Sequence, residues 1–115
     1  MIGMDALKEG DVFEGPSKTL TDAHFLFFSA LTGDVHPIHY DVEYAKTTPI
    51  GKPIAHVLLL VSLTALGALK NRERLGTLLF LEQGSRLLEP AVIGDTVRPV
   101  TYLERKSGAT HQIKR

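Results

Sequence analysis

Cysteine is absent from this chain of 115 residues, which excludes disulfide bonds, thiolate metal ligands and a cysteine nucleophile. Excess charge is absent too: 13 basic and 13 acidic residues cancel, and without a basic stripe nucleic acid is not an expected partner. The N-terminus lacks a basic region followed by an apolar core, so no secretory signal is predicted. The only strongly apolar run, residues 57–69, is too short to span a membrane. We therefore predict a soluble, cytoplasmic protein with a single domain over residues 1–115.

Hydrophobic periodicity and turn residues predict helices in the first part of the chain and strands mainly after them. Residues 11–20 contain Gly15 and Pro16, which indicates one bent strand or two short extended pieces. Helices are predicted at Asp22–Thr32, at 42–47 and at 55–70, where apolar residues cover nearly every face. Further strands are predicted at 78–88, at 96–105 and from 109 onward. This order indicates an α+β fold with an antiparallel sheet.

The segment GDVHPIHYD, residues 33–41, carries the candidate chemistry. It places a carboxylate, Asp34, five residues before an imidazole, His39, and Pro37 between them restricts the loop. An acid and a base held together are the groups needed for proton transfer, and a neighbouring carboxylate orients an imidazole and stabilises its charged form. From spacing alone a structural interpretation stays open, in which Asp34 caps a turn and His39 caps or packs against a helix.

A second interpretation of the same loop is a metal site. His36 and His39 form an H-x-x-H pair flanked by Asp34 and Asp41, and imidazoles and carboxylates both ligate divalent cations. The two histidines straddle a proline in a loop, however, and do not share one face of a helix as in the zinc-protease signature. We therefore predict no metal and no cofactor, and a metal-dependent hydrolase stays an alternative.

The start of the long apolar helix supplies a further candidate group. First-turn N–H groups of a helix lack intrahelical acceptors and stabilise negative charge, so the amides near His56 and Val57 are candidates for binding an oxyanion. The ring of His56 is predicted to bond a carbonyl group and fix the loop. Ser62 has two interpretations: its hydroxyl bonds back to the carbonyl of Leu58, or it faces a cavity and holds a polar ligand atom.

Taken together, these residues resemble a known family. The stretch LTGDVHPIHYDVEYAKTTPIGKPIAHVLLLVSL, residues 31–63, is similar to the hydratase motif of the MaoC-like, R-specific enoyl-CoA hydratases. The later RLLEPAVIGDTV resembles the strand-turn-strand that follows the central helix in that family. The matching motif positions are Asp34, Pro37, Ile38, His39, Asp41, Ala45, Pro53, Ile54, Ala55 and His56.

The resemblance implies a hot-dog fold, in which an antiparallel sheet wraps round a central apolar helix at about 55–70, and a homodimer or larger homo-oligomer. It implies that the substrate is a trans-2-enoyl thioester of coenzyme A or of an acyl carrier. Asp34 and His39 would add water to it, giving the (R)-3-hydroxyacyl thioester, or catalyse the reverse dehydration. The backbone amide of Val57 would donate to the thioester oxygen, and Ser62 and His36 would contact the substrate.

Three features depart from the family pattern. His36 stands where the family has asparagine, Val57 stands where it has glycine, and the chain stops at Arg115, so we expect the last strand of the sheet to be missing. An imidazole replaces only part of the hydrogen-bonding capacity of an amide, and a β-branched residue is costly wherever φ must be positive. Because of these departures an alternative function stays open, in which the chain is a non-catalytic hot-dog module that binds an acyl thioester or a partner subunit.

Overall fold

The computed structural model of the chain describes residues 7–75 and 81–106. Its strands and α-helices, in chain order, are β1 (Val12–Glu14), β2 (Lys18–Thr19), α1 (Asp22–Thr32), α2 (Val42–Ala45), α3 (Val57–Ser62), β3 (Thr96–Val97) and β4 (Val100–Tyr102). Short 3₁₀ helices occur at Pro37–His39, Leu66–Ala68 and Arg72–Leu75. Strands before and after a helical middle agree with the predicted α+β class. Within these described ranges, no helix is both long enough and apolar enough to cross a membrane.

The first and last parts of the described chain pair as two short antiparallel ladders, β1 with β4 and β2 with β3. The predicted bend within residues 11–20 is confirmed as a break between β1 and β2. The prediction of one strand over 96–105 is wrong, because the chain forms two strands that are interrupted around Pro99. Proline has no N–H group to donate to a ladder, which explains the interruption.

The two interruptions face each other across the ladders. The N–H group of Gly15 donates to the carbonyl oxygen of Pro99 over 2.8 Å, and a β-carbon at position 15 would overlap the ring of Pro99. Glycine is required here because the proline ring occupies the space where any other side chain would begin.

Helix α1 has the predicted bounds, and its two ends explain them. At its start the backbone N–H of Thr21 donates to Nδ1 of His24 over 2.9 Å, which satisfies a group that the helix leaves unpaired. At its end Gly33 has a φ of 80° and donates its N–H to the carbonyl oxygen of Ser29 over 2.8 Å. This left-handed residue stops the helix and directs the chain into the loop that carries the candidate residues.

The predicted central helix at 55–70 is too long. The α-helix covers only Val57–Ser62, Ala65 is extended with a ψ of 129°, and the chain then continues in 3₁₀ turns. Near the helix end, the hydroxyl of Thr64 donates to the carbonyl oxygen of Val61 over 2.6 Å. Such side-chain bonds to helix carbonyls offer the backbone an alternative to continuing the helix.

The burial of α3 also differs from the prediction that protein surrounds this helix. Leu59 is buried, but Val57 and Leu58 are 40% and 63% exposed, so a single chain covers only one face. The predicted strand at 78–88 forms no ladder in its described part, residues 81–88. Three predictions fall on residues that the structure does not describe: the first residues of the strand at 78–88, the strand from 109 onward, and the missing final strand.

Two hydrophobic clusters support these elements. The first packs α1 against the segment that leads into α3 and so supports the candidate loop; its buried members are Leu20, Phe25, Phe28, Ala55, Leu59 and Ala91. The second joins the N-terminal strand to the turns after α3; its buried members are Leu7, Phe13, Leu69 and Leu75. The site described below therefore rests on the first cluster.

Replacing Gly15 with alanine is expected to destabilise the fold, because the new β-carbon must displace the Pro99 ring or separate the strands. Overpacking of this kind typically costs about 1–3 kcal/mol. Gly84→Ala is the matched control, since position 84 has open space around it, and it should leave the free energy of unfolding nearly unchanged or slightly higher. Urea denaturation of the three proteins measures both effects. Equal stability of Gly15→Ala and the wild type would refute the proposed contact.

Candidate active site

The candidate loop brings the two predicted catalytic side chains together. Oδ2 of Asp34 lies 3.8 Å from Nε2 of His39. The carboxylate is half exposed, whereas the imidazole is about nine-tenths buried. The separation is too long for a direct hydrogen bond, but one water oxygen can bond to both atoms at ordinary distances of about 2.8 Å. The pair can therefore hold a water between a base and a carboxylate that faces solvent.

Backbone contacts fix the orientation of His39. Its Nδ1 lies 2.8 Å from the carbonyl oxygen of Ile54, and a carbonyl can only accept, so Nδ1 carries the proton. In return, the N–H of Ile54 donates to the carbonyl oxygen of Ile38 over 3.1 Å. In the neutral ring Nε2 is then the free acceptor, and it is the atom that faces Asp34. This is the tautomer that a general base acting on water requires.

His36 supports the loop by capping the 3₁₀ helix Pro37–His39. Its Nδ1 accepts the backbone N–H of Ile38 over 3.1 Å. The side-chain oxygen of an asparagine can accept a backbone N–H in the same way. Its exposed ring meets Tyr44 edge-on, with 5.3 Å between the ring centroids. The structure thus explains how histidine fits at this position, through the one acceptor function of an amide that the turn uses.

The geometry suits proton transfer better than metal binding. His36 uses Nδ1 for the turn. Among the residues that the structure describes, potential ligand atoms of Asp34, His39 and His56 all lie within 4.8 Å of one another. The rings of His39 and His56, however, are stacked at an angle of only 18°. The lone pair of a ring nitrogen lies in the plane of its ring, so two stacked rings direct their lone pairs within two separate, nearly parallel planes, whereas a tetrahedral ion needs them to converge on one point.

His56 belongs to the site more closely than the sequence indicated. Its ring stacks on that of His39 with 3.6 Å between centroids, and its Nε2 lies 3.3 Å from the carbonyl oxygen of Asp34. The prediction that His56 bonds a carbonyl is therefore confirmed. Nε2 also lies 3.0 Å from Oγ of Ser29, a contact that sequence reasoning missed. The sequence signal for this contact was the hydroxyl of Ser29, which lies four residues after Phe25 and therefore on the same face of α1.

The environment of His56 favours its neutral form. Burial lowers the pKa of His56, since the charged imidazolium loses water. The hydrogen bond to the Asp34 carbonyl acts in the opposite direction, and a charge on His39 would lower the pKa further. An uncharged aromatic ring therefore lies against the ring of the candidate base.

The start of α3 lies next to this stack, because Val57 follows His56 directly. Among the non-glycine residues that the structure describes, only Asn71 has a positive φ, so the β-branched Val57 is not strained where the family pattern has glycine. Ser62 lies five residues further on, roughly 7.5 Å along the helix axis. Its hydroxyl donates to the carbonyl oxygen of Leu58 over 2.7 Å, as one of the two sequence interpretations predicted.

Ser62 also borders a largely apolar cavity of about 830 Å³. This cavity lies between the end of α3, the turns that follow it and strands β1 and β4; its lining includes Phe13, Val61, Leu66, Leu75 and Leu103. The space is large enough for a small apolar ligand. The hydroxyl is therefore bonded to the helix, as the first interpretation predicted, while the residue borders a cavity. Contact of Ser62 with a polar ligand atom stays a prediction.

Comparison with known proteins agrees with these features. The MaoC like domain family matches residues 6–114. An (R)-specific enoyl-CoA hydratase of Aeromonas caviae is 35% identical over 81 residues, which cover 70% of this chain and 60% of that protein. The chain spans about three fifths of the length of the curated relatives it matches.

Solved structures agree on the fold. An (R)-hydratase from A. caviae involved in PHA biosynthesis matches with a TM-score of 0.79 at 28% identity, covering 90% of this chain and 77% of that one. A monoamine oxidase regulatory protein from Archaeoglobus fulgidus matches with a TM-score of 0.77 at 32% identity, covering 88% and 69%. The predicted hot-dog fold and the resemblance to MaoC-like hydratases are confirmed, and the chain belongs to the MaoC-like domain family.

Proposed function

We propose that this protein adds water to a trans-2-enoyl thioester to give the (R)-3-hydroxyacyl thioester, or catalyses the reverse dehydration. The observation that carries the proposal is the 3.8 Å separation of Asp34 Oδ2 and His39 Nε2, with the other nitrogen of His39 occupied by the carbonyl of Ile54. The similarity to an (R)-specific enoyl-CoA hydratase supports the substrate class. We propose further that the thioester is carried by coenzyme A or by an acyl carrier, and that the protein is cytoplasmic.

The proposed reaction begins with a water bound between Asp34 and His39. As the water oxygen bonds to C3, its proton passes to Nε2 of His39, and the electrons of the C2=C3 bond move toward the thioester carbonyl. A proton delivered from the same pair to C2 then completes the addition, so both hydrogens of the water are accounted for. Positioned acid–base groups of this kind contribute roughly 10²–10⁴-fold to the rate.

The developing enolate needs a donor at the thioester oxygen, and the backbone N–H of Val57 is proposed to supply it. First-turn amides of a helix lack intrahelical acceptors, and a preorganised donor is worth on the order of a hundredfold or more in rate. The contact between the His56 and His39 rings supports this placement, because it sets the residue before Val57 against the candidate base. The cavity beside Ser62 is proposed to take part of the acyl chain. His36 is proposed to support the loop by accepting the N–H of Ile38.

A non-catalytic module is the alternative, in which the same fold binds an acyl thioester or a partner subunit. Similarity to a monoamine oxidase regulatory protein at a TM-score of 0.77 favours it. Calorimetry with a trans-2-enoyl thioester would then detect binding, while product analysis detects no 3-hydroxyacyl thioester. Turnover that depends on Asp34 would rule out this alternative.

The variant Asp34→Asn should lose hydratase activity by roughly 10²–10⁴-fold, because an amide cannot serve as the charged partner of His39. Its fold should persist, since the Asp34 side chain is 54% exposed. Loss of the crotonyl-CoA double-bond absorbance measures the rate, and Asp22→Asn, an exposed carboxylate in the first turn of α1, is the matched control. Full activity of Asp34→Asn, or no wild-type activity on crotonyl-CoA and longer enoyl thioesters, would contradict the proposed function.

His36 gives a second test, based on its role as a cap. His36→Asn should retain activity and stability, because the amide oxygen can accept the Ile38 N–H as the imidazole does. His36→Ala leaves that N–H without its acceptor and should cost about 1 kcal/mol of stability together with a fall in kcat. Thermal unfolding and crotonyl-CoA kinetics compare the two variants. Equal losses in both would indicate a direct substrate contact through the imidazole.

We also propose that the chain forms a homodimer. Large apolar side chains are exposed on α1 and α3: Phe27 and Leu31 are each 70% exposed, and Leu58 is 63% exposed. Phe27 and Leu31 are four residues apart and therefore share a face of α1. Exposed apolar faces of this kind mark interaction sites.

Sedimentation velocity should therefore give a species of twice the 12.6 kDa chain mass. Leu31→Asp should shift the distribution toward the monomer, because it places a charge on the exposed face of α1. Leu81→Asp is the control, since Leu81 is 72% exposed and lies outside the helices. A monomer at every concentration of the wild-type protein would refute the dimer.

A further inference from the structure

One buried ring touches both members of the candidate catalytic pair. The ring of His56 lies 3.6 Å, centroid to centroid, from that of His39, and its Nε2 lies 3.3 Å from the backbone carbonyl oxygen of Asp34. His56 is 3% exposed, and on another side its ring meets Phe28, with 4.9 Å between centroids. It is also the residue that precedes the first turn of α3. No other described contact joins Asp34, His39 and α3 through one side chain.

The hydrogen bonds of His56 determine its tautomer. The carbonyl oxygen of Asp34 can only accept, so the proton lies on Nε2, and Oγ of Ser29 is the second neighbour of that nitrogen at 3.0 Å. Nδ1 is buried and has no hydrogen-bond partner among the described residues. A proton on Nδ1 would therefore add a buried donor without an acceptor, which is costly. The titratable groups that face this ring are Asp34 and His39, and the lowered pKa of His56 agrees with a ring that stays neutral.

The stack restrains a motion of His39 that its own hydrogen bond leaves free. A ring held at Nδ1 alone can still tilt about the bond to the Ile54 carbonyl, and tilting moves Nε2 away from Asp34. A parallel ring at 3.6 Å blocks that tilt on one face. The bond from Nε2 of His56 holds the backbone of Asp34 at the same time. Both restraints act on the distance between the two catalytic atoms, and small errors in such distances cost large factors in rate.

We propose that His56 is a positioning residue for the hydration reaction, a neutral ring that holds the His39 imidazole by stacking and the Asp34 backbone by one hydrogen bond. This proposal rests on the proposed function. His56 does not contact the substrate or exchange a proton with it. Its two contacts act through different parts of the side chain, so they can be removed separately.

Two variants separate the contacts. His56→Phe keeps an aromatic ring to stack on His39 but has no donor for the Asp34 carbonyl, and His56→Gln keeps an N–H donor but loses the stack. Each should lower kcat for crotonyl-CoA by roughly tenfold or more, with KM changed much less, because alignment is lost while the binding surface remains. His24→Gln is the control and should behave as the wild type, because a glutamine side chain can accept the Thr21 N–H at the start of α1 as His24 does. A rise in KM at constant kcat in either variant would overturn the proposal.

Nitrogen-15 NMR of the histidine rings provides a readout that does not depend on activity. In the wild type His56 should be a neutral Nε2–H tautomer from neutral pH down to mildly acidic pH, and His39 a Nδ1–H tautomer. In His56→Gln the His39 signals should broaden or shift as the ring gains freedom. A His56 ring that is protonated on Nδ1, or a His39 ring unaffected by loss of the stack, would overturn the proposal.

The two readouts also separate this proposal from the proposed function. A wild-type protein that turns over no enoyl thioester but gives the expected ring tautomers would overturn the hydratase proposal and leave the contact network established. An active wild type whose His56→Phe and His56→Gln variants both keep full kcat would overturn the positioning role alone. If His56→Phe fails to fold, His56→Gln together with the wild-type spectra still decides the outcome.

Discussion

The hydrogen bond from Nδ1 of His39 to the carbonyl oxygen of Ile54 joins the loop after α1 to the segment that leads into α3. It is matched by a bond in the other direction, from the N–H of Ile54 to the carbonyl oxygen of Ile38. The next residue, Ala55, donates its N–H to the carbonyl oxygen of Ala91 over 2.8 Å. The segment at 54–55 is therefore tied to both the loop and the C-terminal part of the described chain. The direction of the His39 ring, and with it the whole candidate site, depends on that fixed carbonyl.

The site combines one exposed carboxylate with two buried imidazoles. The Asp34 carboxylate is half exposed to water, whereas His39 and His56 are buried. Burial lowers the pKa of His56 and so favours its neutral form, which means that a proton on His39 meets no positive charge on the stacked ring. The Asp34 carboxylate, 3.8 Å from Nε2 of His39, favours that proton. This distribution of charge suits a group that must gain and lose a proton within one reaction cycle.

Local sequence signals predicted those parts of the structure that local chemistry determines. The bounds of α1 and the bend near Gly15 follow from short-range preferences around glycine, proline and capping residues, whereas the catalytic pairing of Asp34 with His39 was implied by the family resemblance. The length of the central helix did not follow, because the apolar run suggested a longer helix while hydroxyl bonds to the backbone and an extended Ala65 end it at Ser62. The contacts of Ser29 and His56 depend on tertiary packing between α1 and the start of α3, which residue spacing alone does not reveal.

The pairing of β1 with β4 places Val12 opposite Tyr102, so one of the first described strands is completed by one of the last. During synthesis on the ribosome, β1 must therefore wait for its partner until nearly the whole described chain has been made. The loop and helices that carry the candidate residues emerge in between and can make their local contacts first. Long-range closures of this kind are slow steps in folding, and the nascent chain keeps an unpaired strand edge throughout that interval. The length of that interval is thus set by the order of the strands and is independent of the chemistry in the loop.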